Sequence, residues 1–582
     1  MLGTGLTDPT PSWKQKIDPS FLELPNQTEP MEALVWMNST PIYINKVKSL
    51  SKQQKGEFVY SSLLTRSGQS QQGITEWLKE KHINYKSLYI VDLLKVKLLP
   101  YQLEILAKRS DVKFISPNPR TKIISPIEEI EARSLDSVEW GIQKINADDV
   151  WDLEVKGEGA VIGGQDTGVT WDHSTLKEKY RGYNSDLETV DHNYNWHDAI
   201  SEINPLNQDT IITETTNPCG LQLAEPCDDH NHGSWTMGTM LGSDSTNNIG
   251  VAPGAKWIAC RNMERGWGTP FSYLECFQWF LAPTDINNIN ADPLKAPDVI
   301  NNSWSCPEIE GCTPETFLML EEAVNNLTDA GIFVVVSAGN DGRDGCGSVR
   351  TPSSIFEKSF TVGASDQADN IAGFSSRGPV LVDNSMRMKP DVVAPGIHIR
   401  SAKRNEGFLV SSGTSASGPH VAGTVALMIS ANPALAGNIE TIRQILIDTA
   451  VPLAVDSVTC GDIGIGEVPN NVFGWGRIDA LAAVKAAQDL VSNTEEIIDV
   501  AEKSFKLYPN PVQSELTLES LSSVDYFVIE FRDITGNLVL RKRVHAILQN
   551  TLKLDLSSFS TGVYFYQIKT NNALQTGKVI KL

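Results

Sequence analysis

Between residues 138 and 490, short apolar runs alternate with segments of helical spacing, and this alternation constrains the fold more than any other feature of the chain. The runs are AVIGGQDTGV (160–169), AKWIACRNM (255–263), DVINNSW (298–304), GIFVVVSAGN (331–340) and SFTVGAS (359–365). Strands that are apolar on both faces and separated by helices belong in a parallel, doubly wound α/β sheet with helices on either side. Open sheets of this kind collect functional groups at the carboxyl ends of their strands.

The 582 residues exceed what a single core supports, and the sequence divides accordingly. Residues 1–30, rich in Pro, Thr and Gln, read as a tail. Residues 31–118 pass from the apolar run MEALVWM through a polar helical stretch to GITEWLKEKHI, also helical. YKSLYIVDLLKVKL then alternates as a strand, YQLEILAKRS is a short helix, and DVKFISPN is a closing strand. Two strand–helix–strand halves predict a small α+β, ferredoxin-like sandwich. Residues 119–137 are an acidic linker and processing region, 138–490 the α/β domain, and 491–503 a polar connector. Residues 504–582 lack Cys and alternate as strands (YFVIEFRD, NLVLRKRV, GVYFYQIKT), which predicts a small all-β domain.

The formal charge of −22 argues against nucleic acid as a partner, because phosphate binding needs clustered Lys and Arg. No run reaches the roughly 18–20 apolar residues of a membrane-spanning helix. All eight cysteines lie between Cys219 and Cys460, which suggests disulfides formed in an oxidising compartment. Sequence-close pairs such as Cys219–Cys227 and Cys306–Cys312 fit that reading, while the full connectivity is open.

Three segments carry the chemistry. In GGQDTGV (163–169), Asp166 follows an apolar strand; alone it reads better as a cap on the next helix. In HGSWTMGTMLG (232–242), Gly238 and Gly242 interrupt a helical stretch, and each costs about 1 kcal/mol relative to Ala unless another backbone packs there. The preceding DDHNH (228–232) offers a competing metal cluster of Asp228, Asp229, His230 and His232. In SSGTSASGPHVAG (411–423), Ser415 opens a helix near unpaired N–H groups and the positive end of the dipole, and Pro419 is expected near the helix start, where its missing donor is not needed.

The order Asp, His, Ser distinguishes the subtilisin arrangement from the other two serine-hydrolase orders. DTG, HGSWTMG and GTSASGPHVAG resemble the three signatures of the subtilase family, and VAPGAKWIACRNM, YLECFQWFLAPTD and NNSW resemble its bacillopeptidase F-like branch. FSSRGP, KPDVVAPG and GWGRIDA extend the resemblance. Ala416 stands where the family often has Met, Ser417 replaces the usual Ala, and Trp235 stands where a second His is common.

The resemblance implies a secreted serine endopeptidase using Asp166, His232 and Ser415 as its triad, with Asn340 of VVVSAGNDG as oxyanion donor alongside the Ser415 N–H. It implies no cofactor for catalysis. Extended polypeptide substrates are expected to pair with Ser303–Trp304–Ser305, with Gly339 also lining the site. Aligned with the family, GCGSVRTPSS sets Arg350 near the base of the S1 pocket, so the resemblance implies a preference for Asp or Glu at P1. The loop SDSTNNIG (243–250) offers oxygen ligands where related enzymes hold structural calcium, and no site is assigned there.

Residues 31–118 resemble an inhibitor-type propeptide, so the chain's own propeptide is an expected partner. YPNP (508–511), DLSSFSTGVYFYQIKT and the ending KVIKL resemble a type IX secretion C-terminal sorting domain, which makes the secretion machinery another. MLGTGLTDPTPSWKQKIDPS contains no signal for inner-membrane export, so the native reading frame is expected to begin upstream. The alternative from another class is a catalytically silent surface or adhesion protein on the same scaffold.

Overall fold

The computed structural model describes residues 12–22, 28–40, 50–123, 130–132, 137–207, 217–455, 459–499, 505–520, 526–533, 538–545, 551–570 and 574–582. Two units result, Met1–Ala487 and Gln488–Leu582.

The first unit begins with strands β1 (Met31–Met37), β2 (Tyr85–Leu88), β3 (Leu93–Leu98) and β4 (Val112–Ser116), and helices α1 (Lys52–Ser70), α2 (Gln72–Glu80) and α3 (Pro100–Ala107). The sheet is antiparallel in the order β2-β3-β1-β4, the split βαβ arrangement expected. Ser51 starts α1 with a reciprocal capping box to Gln54. The expected single strand over 85–98 is instead a hairpin that turns at Tyr89–Asp92. That turn is apolar because Ile90 and Val91 are buried against the following domain, not because they pair in the sheet. Part of the expected tail is also structured: Ile17 is buried and bridges to Ile115, while Lys16 Nζ donates to the carbonyls of Arg109 and Val112.

A short strand β5 (Thr121–Lys122) leads into the main domain. Most of the expected processing region, residues 124–129 and 133–136, lies outside the described residues. The main sheet comprises β6 (Val161–Asp166), β7 (Trp196–Asp198), β8 (Lys256–Arg261), β10 (Val299–Asn302), β11 (Phe333–Ser337), β12 (Phe360–Ser365) and β13 (Val392–Pro395), with β9 (Trp267–Gly268) lying outside it. Its order is β7-β8-β6-β10-β11-β12-β13, seven strands all parallel. The five apolar runs supply five of these strands. Helices α4 (His232–Leu241), α5 (Pro270–Leu281), α6 (Pro314–Asp329) and α7 (Thr414–Ala431) flank it. One core holds α4 and α7 against one face, and a second holds α5 and α6 against the other.

The N-terminal sandwich packs on α5 and α6. Leu34, Trp36, Val59, Leu63 and Val91 share one buried cluster with Phe271, Leu274, Phe317 and Leu320. Polar contacts fix the register: Lys52–Asp298 at 2.6 Å, Arg66–Glu322 at 2.8 Å, and the Tyr89 N–H donating to Gln278 Oε1 at 2.6 Å. Four disulfides staple the main domain, Cys219–Cys227, Cys260–Cys276, Cys306–Cys312 and Cys346–Cys460. The two sequence-close pairs are those expected.

Beyond the end of a helix, the second unit is built of strands. Strands β14 (Phe505–Tyr508), β15 (Glu515–Ser520) and β18 (Thr551–Asp555) form one sheet; β16 (Tyr526–Arg532), β17 (Leu538–His545), β19 (Gly562–Thr570) and β20 (Leu574–Lys581) form another. Phe505, Leu518, Phe527, Phe531 and Ile568 share their core. The YPNP segment meets the chain's end here: Asn510 donates to the Lys578 carbonyl and accepts from the Ile580 N–H. The connector expected at 491–503 begins inside a helix that runs Ala480–Asp499.

Candidate active site

Asp166 is the last residue of β6 and His232 the first of α4. Both are buried, and His232 Nδ1 lies 2.7 and 2.8 Å from the two carboxylate oxygens of Asp166. A carboxylate accepts only, so Nδ1 carries the proton and Nε2 is the basic nitrogen. The carboxylate is held in turn by the Thr167 N–H at 2.7 Å and the Thr236 hydroxyl at 3.3 Å.

The contact depends on the loop after β6 touching the start of α4 backbone to backbone. A Cβ on Gly233 would sit 1.9 Å from the Gly168 carbonyl oxygen. Further along α4, a Cβ on Gly238 would meet Ser401 Oγ at 2.4 Å and the Ala402 nitrogen at 3.0 Å. The glycine inside the helix therefore has the close neighbour its propensity cost required.

The acidic residues before α4 are engaged at this junction. Asp228 accepts from the N–H groups of His230 and Asn231 through Oδ1 and of Ser234 through Oδ2, and also from the Thr167 hydroxyl, which itself accepts from the Gly233 N–H. Asp229 pairs with the buried Arg261 and accepts from the Arg265 N–H. Burial pushes Asp229 up to about 6. Among the described residues no three His, Cys, Asp or Glu side chains are grouped to hold a metal ion. In the loop 243–250, Asp244 Oδ1 accepts from the N–H groups of Thr246 and Asn247 within its own turn. Sequence reading missed Asp228 and Thr167 as organisers of the junction; an acidic residue just before a helix was the available signal.

Ser415 is the second residue of α7, behind Gly413, and is buried. Pro419 is the sixth residue of the helix, deeper than expected, so the carbonyl four residues back, that of Ser415, lacks its usual helical donor. Immediately after Ser415, Ala416 packs with Trp235, Ile399 and Leu409. The small Ala faces the large Trp on α4, three residues from His232, and their packing sets the two helices side by side.

Asn340 follows β11. Its Oδ1 accepts from the Thr414 N–H at 3.0 Å and from the Thr414 hydroxyl at 2.9 Å, and its Nδ2 would lie 3.4 Å from a Cβ on Gly413. With the carbonyl end anchored, the amide N–H groups are directed toward the start of α7. Gly339 donates to the Thr414 hydroxyl at 3.3 Å. Beneath them, Ser337 donates to the Thr414 carbonyl and shares a hydrogen bond with Ser303, which accepts from Asn301. Thr414 and Ser337 were not singled out in the sequence, since nothing local marks them.

Trp304 stacks on Tyr273 with ring centroids 3.9 Å apart and planes at 17°. Ser305 and Arg350 line a cleft of about 600 Å³ together with Pro307, Asp341, Gly347 and Leu381. The Arg350 guanidinium is already partnered, 2.6 Å from Asp344 and 3.8 Å from Asp341. Burial pushes the Asp341 carboxyl up, against the pull of Arg350.

A strand of the chain itself pairs beside Tyr273. β5 pairs antiparallel with β9, Thr121 opposite Gly268 and Lys122 opposite Trp267, and the Ile123 N–H donates to the Gly266 carbonyl at 2.7 Å. The Thr121 and Tyr273 hydroxyls are hydrogen-bonded at 2.7 Å, both buried. The added strand therefore runs on β9, facing the Tyr273–Trp304 stack.

A seven-stranded parallel sheet, with an Asp–His pair at one strand end and a Ser at a helix start, defines a subtilisin-type α/β scaffold. The chain belongs to the Subtilase family, whose sequence profile matches residues 157–476. A second profile, the Secretion system C-terminal sorting domain, matches residues 506–582 and marks the chain for the outside of the cell.

Among relatives, bacillopeptidase F of Bacillus subtilis (strain 168) is 34% identical over 478 residues, covering 78% of this chain and 31% of that protein. M-protease of Shouchella clausii (strain KSM-K16) is 30% identical over 260 residues, 44% of this chain and 56% of that one. Subtilisin Savinase of Lederbergia lenta is 29% identical over 260 residues, 44% of this chain and 79% of the other. The chain thus spans about a third of the first of these relatives and about half of the second. In fold, it is similar to the epidermin leader peptide processing serine protease of Staphylococcus aureus, with a TM-score of 0.55 and 18% identity over 78% of this chain and 99% of that one. Among the described residues no helix is long and apolar enough to cross a membrane.

Proposed function

We propose that this chain is the precursor of an exported serine endopeptidase in which Ser415 is the nucleophile, His232 the general base and acid, and Asp166 the group that holds the imidazole. The carrying observation is the two-oxygen contact of Asp166 with His232 Nδ1. Ser415 Oγ attacks the scissile carbonyl as His232 Nε2 takes its proton. The same proton is then delivered to the leaving amine, and water releases the acyl group by the reverse path. Asp166 holds the imidazole tautomer and stabilises the imidazolium. The developing oxyanion receives hydrogen bonds from Asn340 Nδ2 and the Ser415 N–H. The triad needs no cofactor.

Residues 31–118 act as an intramolecular inhibitor and folding template, and 138–490 as the peptidase domain. The common core with α5 and α6, and the placement of β5 on β9, support this reading. Substrate binds as an extended strand in the same cleft, bounded by Gly339 and Ser303–Trp304–Ser305. At P1, an acidic side chain would exchange for Asp344 on Arg350; equal kcat/KM for Glu and Phe at P1 removes that preference.

The test is self-processing. Purified wild-type precursor shortens, reacts covalently with a fluorophosphonate probe and hydrolyses casein, whereas Ser415→Ala stays full length and unlabelled. A wild-type chain that does none of the three is the silent adhesion scaffold instead.

A further inference from the structure

The strand laid on β9 carries the sequence Arg120-Thr121-Lys122-Ile123, and its alternation sorts those four side chains onto two faces. Thr121 and Ile123 point into the domain and are buried, the former on the Tyr273 hydroxyl and the latter in the apolar cluster with Phe271 and Trp304. Arg120 and Lys122 point the other way, Arg120 onto a carboxylate of the main domain and Lys122 toward the Trp267 ring. Arg120 pairs with Glu202. Lys122 Nζ lies 5.5 Å from the centre of the Trp267 ring, and the Lys122 N–H donates to Glu310 Oε2 at 3.2 Å.

Glu310 sits in the loop closed by the Cys306–Cys312 disulfide, directly after the expected substrate-binding strand, so the carboxylate is tethered to the cleft wall. Burial alone raises both carboxyls. At Glu310 burial prevails over Lys122, while at Glu202 Arg120, Lys95 and Lys97 outweigh it and hold the carboxyl below its ordinary value. Those lysines belong to β3 of the N-terminal sandwich and depart with it if that domain is released. Glu202 and Glu310 would then face solvent in a chain whose formal charge is already −22.

We propose that this half of the cleft selects basic polypeptide segments: a Lys or Arg on the Trp267 ring beside Glu310, a second two residues upstream on Glu202, and a small hydroxyl residue between them on Tyr273. The inference rests on the reading of the cleft as a peptidase site. Each exposed cation contact is worth about two- to fivefold in binding, so the two positions together give roughly tenfold.

The test uses processed enzyme and three quenched fluorescent peptides that carry PNPRTKIISPIE, or the same sequence with Ala or with Glu at both basic positions. Expected is a fall in kcat/KM of about tenfold for the Ala peptide and about 100-fold for the Glu peptide, shrinking as salt is raised. The variant Glu202→Gln/Glu310→Gln should bring the three substrates to within about twofold of one another. Equal cleavage of all three by the wild type overturns the inference and leaves the peptidase reading intact. Cleavage of none, by enzyme that also ignores casein, overturns the peptidase reading and this inference with it.

Discussion

Thr414→Val isolates how the oxyanion site is held. In the native arrangement Asn340 Oδ1 accepts two hydrogen bonds from Thr414, one from the backbone N–H and one from the hydroxyl, and the hydroxyl itself accepts from the Gly339 N–H. Valine keeps the shape and the backbone donor but removes the hydroxyl. A neutral hydrogen bond of this kind contributes about 1 kcal/mol net, which corresponds to roughly fivefold in rate at 25 °C. The loss should appear in kcat, with KM unchanged, because the oxyanion exists only in the transition state.

Asn340→Ala should cost about 10²–10³ in kcat, a magnitude established for the equivalent donor of subtilisin itself, a member of this family, and not worked from the present geometry. Thr414 acts through Asn340, so Thr414→Val in the Asn340→Ala background should cost almost nothing further, giving a coupling energy of about 1 kcal/mol. Steady-state kinetics on a single peptide substrate for the four enzymes completes the cycle. If Thr414→Val lowers kcat by the same factor with and without Asn340, or raises KM instead, the hydroxyl does not act by anchoring the amide.

Three further expectations concern stability. His420 is fully buried, and burial pushes its imidazole down to about 4. The unfolded chain takes up the proton near 6.5, so stability is fully present above that pH and falls as pH drops toward 4, by about 3 kcal/mol; denaturant midpoints of Ser415→Ala should show this slope, and adding His420→Gln should flatten it. Arg261→Met strands the buried Asp229 and Asp198 carboxylates and should cost about 3–5 kcal/mol, part of which Asp229→Leu restores; a loss under about 1 kcal/mol in urea would contradict the pairing. The Cys346–Cys460 bridge spans 114 residues, so its removal as Cys346→Ser/Cys460→Ser should lower stability by up to about 5 kcal/mol, and alkylation of the unreduced wild type should add no mass.

The α/β class, the all-β tail and the candidate triad were legible because each rests on local pattern. Apolar runs such as GIFVVVSAGN need burial on both faces wherever they go, and DTG, HGSWTMG and GTSASGPHVAG are short enough to be read whole. Tyr89–Asp92 misled for the same reason: an apolar run looks like a strand, although here it is a turn buried by another domain. Asp228 and Asp229 had the composition of a metal site, and only their neighbours Thr167 and Arg261, 61 and 32 residues away, give them different tasks.

What the sequence determined by itself was the set of elements and the chemical groups at their ends, since propensity, periodicity and capping act over a few residues. The tertiary structure decided which groups meet. Gly233 lies flush on Gly168, Thr414 holds Asn340, and Thr121 reaches Tyr273 across 152 positions. Such contacts depend on how whole sheets and helices pack, and packing is a property of the assembled surfaces that no single segment encodes.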